Sequence, residues 1–241
     1  MIMKKYLIAL LVGCCAVWSS CSDENKVPDI RPVAQGEFTD ERDGNTYGWI
    51  RIGDLEWMTS NLKYAEVAPY YECRYNLFDS EMKPVVSHSL DFDFEADYEK
   101  YGNLYTWEEA NTWCPEGWRL PSDEDWQKLE MELGMSKKEA GSEGWRGKQV
   151  ATLLRQGEDG LGMNLFLSGC VMDTGSWGAE PFLSFVEASG YYWTSSENKE
   201  SGLQSRTVWF RKIFSGYSTV CRNYTILDKL MRVRCCRDAG K

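Results

Sequence analysis

The chain reads as an α+β domain built on an antiparallel sheet, and three observations lead there. Two helix-start signals fall in mid-chain, at Thr106-Trp107-Glu108-Glu109 and Ser122-Asp123-Glu124-Asp125. Short β-prone runs crowd the last third, at Met163–Leu167, Tyr191–Thr194, Thr207–Phe210 and Met231–Cys235, with Gly- and Ser-bearing connections between them. One further strand pair precedes the helices. Helices early and strands late, rather than alternating, indicate α+β.

The N-terminus has the form of an export signal. Lys4 and Lys5 precede an apolar run from Tyr6 to Trp18, shorter than the roughly 20 residues a spanning helix needs and suited to a signal-peptide core. Small residues lead to a cysteine twice, at Leu11-Val12-Gly13-Cys14 and Trp18-Ser19-Ser20-Cys21. Leu-Val-Gly-Cys matches the lipoprotein-peptidase pattern better locally, but cutting there leaves an apolar remnant on the mature end. Cys21 is therefore the expected lipidation site. The tract Cys21-Ser22-Asp23-Glu24-Asn25 resembles the surface-export tethers of Bacteroidetes lipoproteins, which implies an outer-membrane or cell-surface location held by lipid. The expected organisation is a signal over 1–21, a polar tether with Pro28 and Pro32 over 22–36, and one domain over 37–238.

Charge narrows the function. A formal net charge of −10 without a Lys/Arg cluster argues against nucleic acid, whose phosphates need clustered cations. His88 is the only histidine, so multi-histidine metal sites are excluded and a His-based triad is not expected. No cofactor or metal is implied.

Within the domain, Asp43-Gly44 is a hairpin-type turn, and Trp49–Ile52, Gly53-Asp54 and Trp57-Met58 suggest two short strands about a tight turn. The stretch from Ala65 to Lys100 is less regular. Its acidic run Asp91-Phe92-Asp93-Phe94-Glu95 lacks the glycine and spacing of a calcium loop and reads as an exposed strand or loop. Thr106 and Glu109 form a capping box. Trp107, Ala110 and Cys114 then share a helix face until Pro115 and Gly117 end it. In the second helix the acids at 123–125 suit the N-terminal dipole, Trp126, Leu129 and Leu133 form the inner stripe, and Gly134 stops it. A third helical stretch spans Lys148 to Leu154.

Several blocks in order carry a family resemblance: Phe38-x-Asp40-x-Arg42-Asp43-Gly44, Ile52-Gly53 with Trp57-Met58 and Asn61-Leu62, Tyr101-Gly102-x-Leu104-Tyr105-Thr106-Trp107, Cys114-Pro115-Glu116-Gly117-Trp118-Arg119-Leu120-Pro121-Ser122, Gly190-Tyr191-x-Trp193, and Val233-Arg234-Cys235-x-Arg237-Asp238. Together they resemble the Fibrobacter succinogenes major paralogous domain. More distantly, Trp107-x-x-Ala110-x-x-x-Cys114 with Arg119-Leu120-Pro121 and Glu124-x-Trp126 resembles the first-helix region of C-type-lectin-like folds and of formylglycine-generating enzymes. That likeness implies a lectin-like domain with an antiparallel sheet and two main helices, and a disulfide from Cys114 to Cys235. Members of the closer family often carry a partner for the cysteine at the position of Cys73, and none stands here. Cys170, Cys221 and Cys236 also occupy positions where the family shows other residues. The calcium-lectin motifs Glu-Pro-Asn, Gln-Pro-Asp and Trp-Asn-Asp are missing.

Six cysteines follow Cys21, and spacing alone leaves their connectivity open. Cys235 and Cys236 are adjacent and point to opposite faces of an extended segment. Exposed rings beside carboxylates and amides would suit a sugar. Tyr192, Trp193, Glu197, Asn198, Trp209 and Arg211 lie in the late strands and loops, where lectin-like folds hold ligands, although Trp193 and Trp209 in alternating strands also suit a core. Glu108-Glu109 and Asp123-Glu124-Asp125 are explained by helix starts rather than by glycosidase chemistry, so no catalytic residue is expected. The expected function is a non-catalytic ligand-binding or adhesion lipoprotein taking a glycan or a protein. The alternatives are an assembly subunit of a cell-envelope structure and an enzyme of formylglycine-generating type.

Overall fold

The computed structural model describes residues 27–66, 94–172 and 183–240. The expected signal, Cys14, Cys21, residues 22–26 of the tether, Cys73, His88 and Asp91-Phe92-Asp93 lie outside those residues.

Two sheets face a shared interior. The smaller is antiparallel, ordered β1 (Ala34–Thr39), β2 (Thr46–Ile52), β3 (Leu55–Met58) and β10 (Cys236–Asp238). The larger runs β4 (Gly144–Arg146), β9 (Val220–Ile226), β8 (Thr207–Phe214), β7 (Ser189–Glu197), β5 (Ser168–Val171) and β6 (Leu183–Val186). It is mixed, because β5 meets β7 in parallel through Gly169 and Gly190. Five helices are found among the described residues: α1 (Phe94–Tyr101), α2 (Trp107–Thr112), α3 (Asp123–Glu132), α4 (Lys137–Ala140) and α5 (Val150–Leu154). The class is α+β, as the sequence indicates.

Local signals produced the expected elements where the chemistry is local. Thr106 and Glu109 close a capping box at the start of α2, and Ser122 and Asp125 close another at α3, each satisfying donors the first turn leaves free. The α3 stripe of Trp126 and Leu129, with Leu133 as its C-cap, is buried against both sheets. The β2–β3 pair turns at Gly53-Asp54 as expected, with Ile52 opposite Leu55.

Other expectations need correction. The longest helices are α1 and α3, because α2 stops at Thr112 and leaves Cys114 beyond its end. The span after Asp93 is helical rather than a strand or loop, with Asp97 turned inward to Arg232. The tether is shorter than expected, since β1 pairs with β2 from Ala34 opposite Arg51 and Val27 and Ile30 pack on the core. Met163–Leu167 makes no strand, only a bridge from Leu165 to Arg155. β9, which holds Cys221, interrupts its hydrophobic pattern with Arg222 and Asn223 and gave no readable strand signal.

Met231–Cys235 is also no ordinary strand. Its backbone bonds go to many partners in turn: Met231 with Tyr105, Arg232 with Tyr191 and Trp193, Val233 with Leu62, and Cys235 with Met58. Cys236 then meets Arg119 and joins β10. The segment is a fully buried seam sewn to both sheets. Cys235 is bonded to Cys114 across a sequence separation of 121, and closing so long a loop in the unfolded chain gives a chain-entropy contribution of about 5 kcal/mol.

The motif residues of the family resemblance hold this seam in place. Arg234 is fully buried and donates to Asn61 Oδ1 and to the carbonyls of Met58, Met163 and Asn164, while Asn61 donates to the Tyr101 carbonyl. Arg232 donates to the Gly102 carbonyl and to Asp97. Gly102 has φ +79°, and a Cβ there would sit 2.7 Å from the Leu62 carbonyl oxygen. A Cβ at Gly190 would sit 2.1 Å from that of Phe166. Neither position has room for a side chain.

Candidate functional site

The residues expected to hold a ligand are mostly interior. Tyr192, Trp193 and Arg211 are fully buried. The Tyr192 hydroxyl donates to the Phe166 carbonyl and accepts from its N–H, and Trp193 Nε1 donates to the Tyr105 carbonyl at 2.8 Å. Trp209 lies under the Arg222 guanidinium, 3.5 Å from its centroid. Asn198 is buried and caps a turn by accepting from the Glu200 N–H. Only Glu197 is exposed, and its carboxylate is taken by Arg206 at 2.5 Å. These six residues therefore form no exposed binding face, because the α3 side and the α2 side of the larger sheet are both covered where they lie.

Beneath α3, the inner face of that sheet carries a charge network. Arg211, on β8, bonds Asp123 and Glu130 at 2.7 Å each. Arg222 on β9 meets Asp123 at 2.8 Å, and Arg146 on β4 meets Glu130 at 2.6 Å. Burial pushes the Asp123 carboxyl up, but hydrogen bonds from Arg222 and Arg211 outweigh it and hold the group at about 2. Burial lowers Arg146 to about 10 despite Glu130 beside it. An Asp so strongly ionised and so fully engaged has a structural task, the docking of α3 on the sheet.

The opposite face of the same strands is different at one end. Register sets Trp145 opposite Cys221, Cys221 opposite Lys212, and Lys212 opposite Tyr191. Facing residues of antiparallel neighbours share a side, so the four make one row across β4, β9, β8 and β7. Trp145 is 39% exposed, Phe185 on β6 50%, and Tyr217 in the β8–β9 turn 47%. Trp145 and Tyr217 meet edge-on at 4.7 Å, and Phe214 backs Tyr217 at 5.2 Å. Lys212 Nζ lies 4.9 Å from the Tyr191 ring centroid, 5.8 Å from Phe185 and 5.9 Å from Trp145. Phe185 is held there with φ +65°, a left-handed backbone that costs a bulky residue about 1–3 kcal/mol.

This aromatic surface was missed from the sequence, and it lies at the opposite end of β7 and β8 from the Glu197–Arg206 loop. A signal existed: Gly144-Trp145 and Gly216-Tyr217 set large rings directly after glycines, one in a short edge strand and one in a turn. An open cleft of about 450 Å³ borders the same end, lined by Lys100, Arg155, Glu158, Asp159 and Glu187 among others, but its charges have counterparts of the other sign on its own walls. A wider groove of about 730 Å³ runs over the β1–β2 ribbon past Gly36, Gly48 and Trp49. Among the described residues no group of three His, Cys, Asp or Glu side chains is placed to hold a metal ion. Burial raises the thiols of Cys170, to about 12, and of Cys221 and Cys236, so all three stand protonated.

Fold and site together define a disulfide-closed α+β domain with an exposed aromatic face. Over residues 50–237 the chain matches the Fibrobacter succinogenes major domain, and it belongs to that family. No curated protein and no solved structure matches the chain.

Proposed function

We propose that the chain is an exported, lipid-anchored binding protein of the outer membrane or cell surface, whose domain holds a glycan on the Trp145–Tyr217–Phe185 face. The observation that carries this reading is the exposure of Trp145, Tyr217 and Phe185 at the turn end of an otherwise well-buried sheet, with Trp145 and Phe185 on either side of Lys212. Scattered apolar residues on a surface need no explanation, but a contiguous group of rings does. Flat rings offer the stacking partner that the C–H face of a pyranose needs, at little entropic cost because each has two torsions.

A C-type-lectin-like arrangement is the finer reading of the fold, supported by the bridge from the α2 region to the C-terminal seam. A formylglycine-type activity is disfavoured by thiols that burial keeps protonated, since the thiolate is the reactive form. The assembly reading keeps one observation in its favour, the six-residue β1 at the edge of its sheet, an edge that a partner strand could extend.

Two experiments test the proposal. In membrane fractionation, Cys21→Ala should release the protein or leave it unprocessed, whereas unchanged retention together with loss in Cys14→Ala would move the anchor to Cys14. In a glycan and envelope-protein binding screen, the wild-type chain should retain glycans and Trp145→Ala should not. Glycan binding that survives both Trp145→Ala and Phe185→Ala would remove this face from the site.

A further inference from the structure

Lys212 differs from every arginine around it. Arg211, Arg146 and Arg222 on the neighbouring strands are all answered by Asp123 or Glu130. Lys212 pairs with no carboxylate among the described residues. It has instead the faces of three rings, those of Tyr191, Phe185 and Trp145. This is notable in a chain with 37 acidic side chains against 27 basic ones, where a half-buried cation would ordinarily find a carboxylate. Ring faces soften the cost of keeping an ammonium partly out of water, yet they neutralise no charge. The row thus presents rings for an apolar face and, between them, one positive charge with no carboxylate partner among the described residues.

We propose that the ligand of this face is an acidic glycan, a polymer of uronic acid residues, whose pyranose stacks on Trp145 or Phe185 while its carboxylate meets Lys212 Nζ. A uronate carries both features on one sugar, an apolar C–H face and a carboxylate at the ring edge. A neutral hexose offers only the first. The charge-assisted bond to Lys212 is the stronger kind of hydrogen bond, and it is made where surrounding rings exclude part of the water. This inference rests on the glycan reading above and adds the charge of the ligand to it.

The test uses the full-length chain in detergent with two uronate polymers, polygalacturonate and alginate, the same polymers after reduction of their carboxyls to alcohols, and a sulfated glycan. Wild type should bind at least one uronate polymer about tenfold or more tightly than its reduced form, with the difference shrinking as salt rises. Lys212→Gln should abolish that preference and Lys212→Arg should keep most of it. Equal affinity for native and reduced polymer, lost in Trp145→Ala, would overturn the acidic preference while leaving the glycan reading intact. Binding to neither form, nor to any other glycan, would overturn both. Preference for the sulfated polymer over both uronates would overturn the carboxylate assignment. Should Lys212→Gln fail to fold, the native-against-reduced comparison and its salt dependence on wild type still decide.

Discussion

Arg211 and Lys212 are neighbours on one strand and live in opposite environments. Arg211 points under α3, is fully buried and spends its donors on two carboxylates. Lys212 points outward, is half-buried and faces rings. A buried charge survives only when it is paired and hydrogen-bonded, so the inner face is filled with compensated pairs. The outer face, wet on one side, tolerates Lys212 with no carboxylate partner among the described residues. The inner face of the larger sheet is thus committed to holding the domain together, and the outer face near the turns leaves Trp145, Phe185 and Tyr217 partly exposed.

The sharpest way to break this comparison is to truncate the inner residue. Arg211→Ala leaves Glu130 with Arg146 alone and Asp123 with Arg222 alone under α3, and should cost about 3–5 kcal/mol, read as a fall in the denaturation midpoint in urea. Trp193→Ala should cost a similar amount, about 3–5 kcal/mol, by opening a cavity beside the seam and removing one of the two donors to the Tyr105 carbonyl. Small losses in both variants would mean that the interior is looser than described.

A pH titration sharpens the contrast further. Asp123 is held at about 2 in the fold against an ordinary value of 3.8. Its contribution, on the order of 2 kcal/mol, is therefore full above about pH 4 and lost as pH falls from there toward 2. Asp123→Asn should flatten that part of the stability curve. Trp145→Ala should follow wild type, because the Trp145–Cys221–Lys212–Tyr191 row contains no carboxylate.

The smallest effect on stability belongs to the outer face. Trp145→Ala and Lys212→Gln should each shift stability by about 0.5 kcal/mol or less, as surface substitutions do, while ligand retention falls. A loss of several kcal/mol in Trp145→Ala would make that ring a structural part of the β4 edge.

What could be read ahead of the structure was what neighbours in sequence decide. A capping hydroxyl and a carboxylate three residues on meet within one turn, so the starts of α2 and α3 were legible at Thr106 and Ser122. The tight turn between β2 and β3 was legible for the same reason. The pairing of Cys114 with Cys235 came from a resemblance, since spacing alone left it open, and the two Cα atoms stand 6.0 Å apart. Strands such as β9 were not legible, because their stability comes from partners far along the chain rather than from their own pattern.

The sequence by itself therefore determined the α+β class and the local helix and turn starts, while the strand it indicated at Thr207–Phe210 stops short of Arg211 and Lys212, which lie on opposite sides of the longer β8. It did not determine which side is covered. Only the tertiary structure decided that α3 lies over Arg211 and leaves Lys212 to the rings, because burial is a property of what packs on a face, and α3, β4 and β9 reach that face from remote parts of the chain.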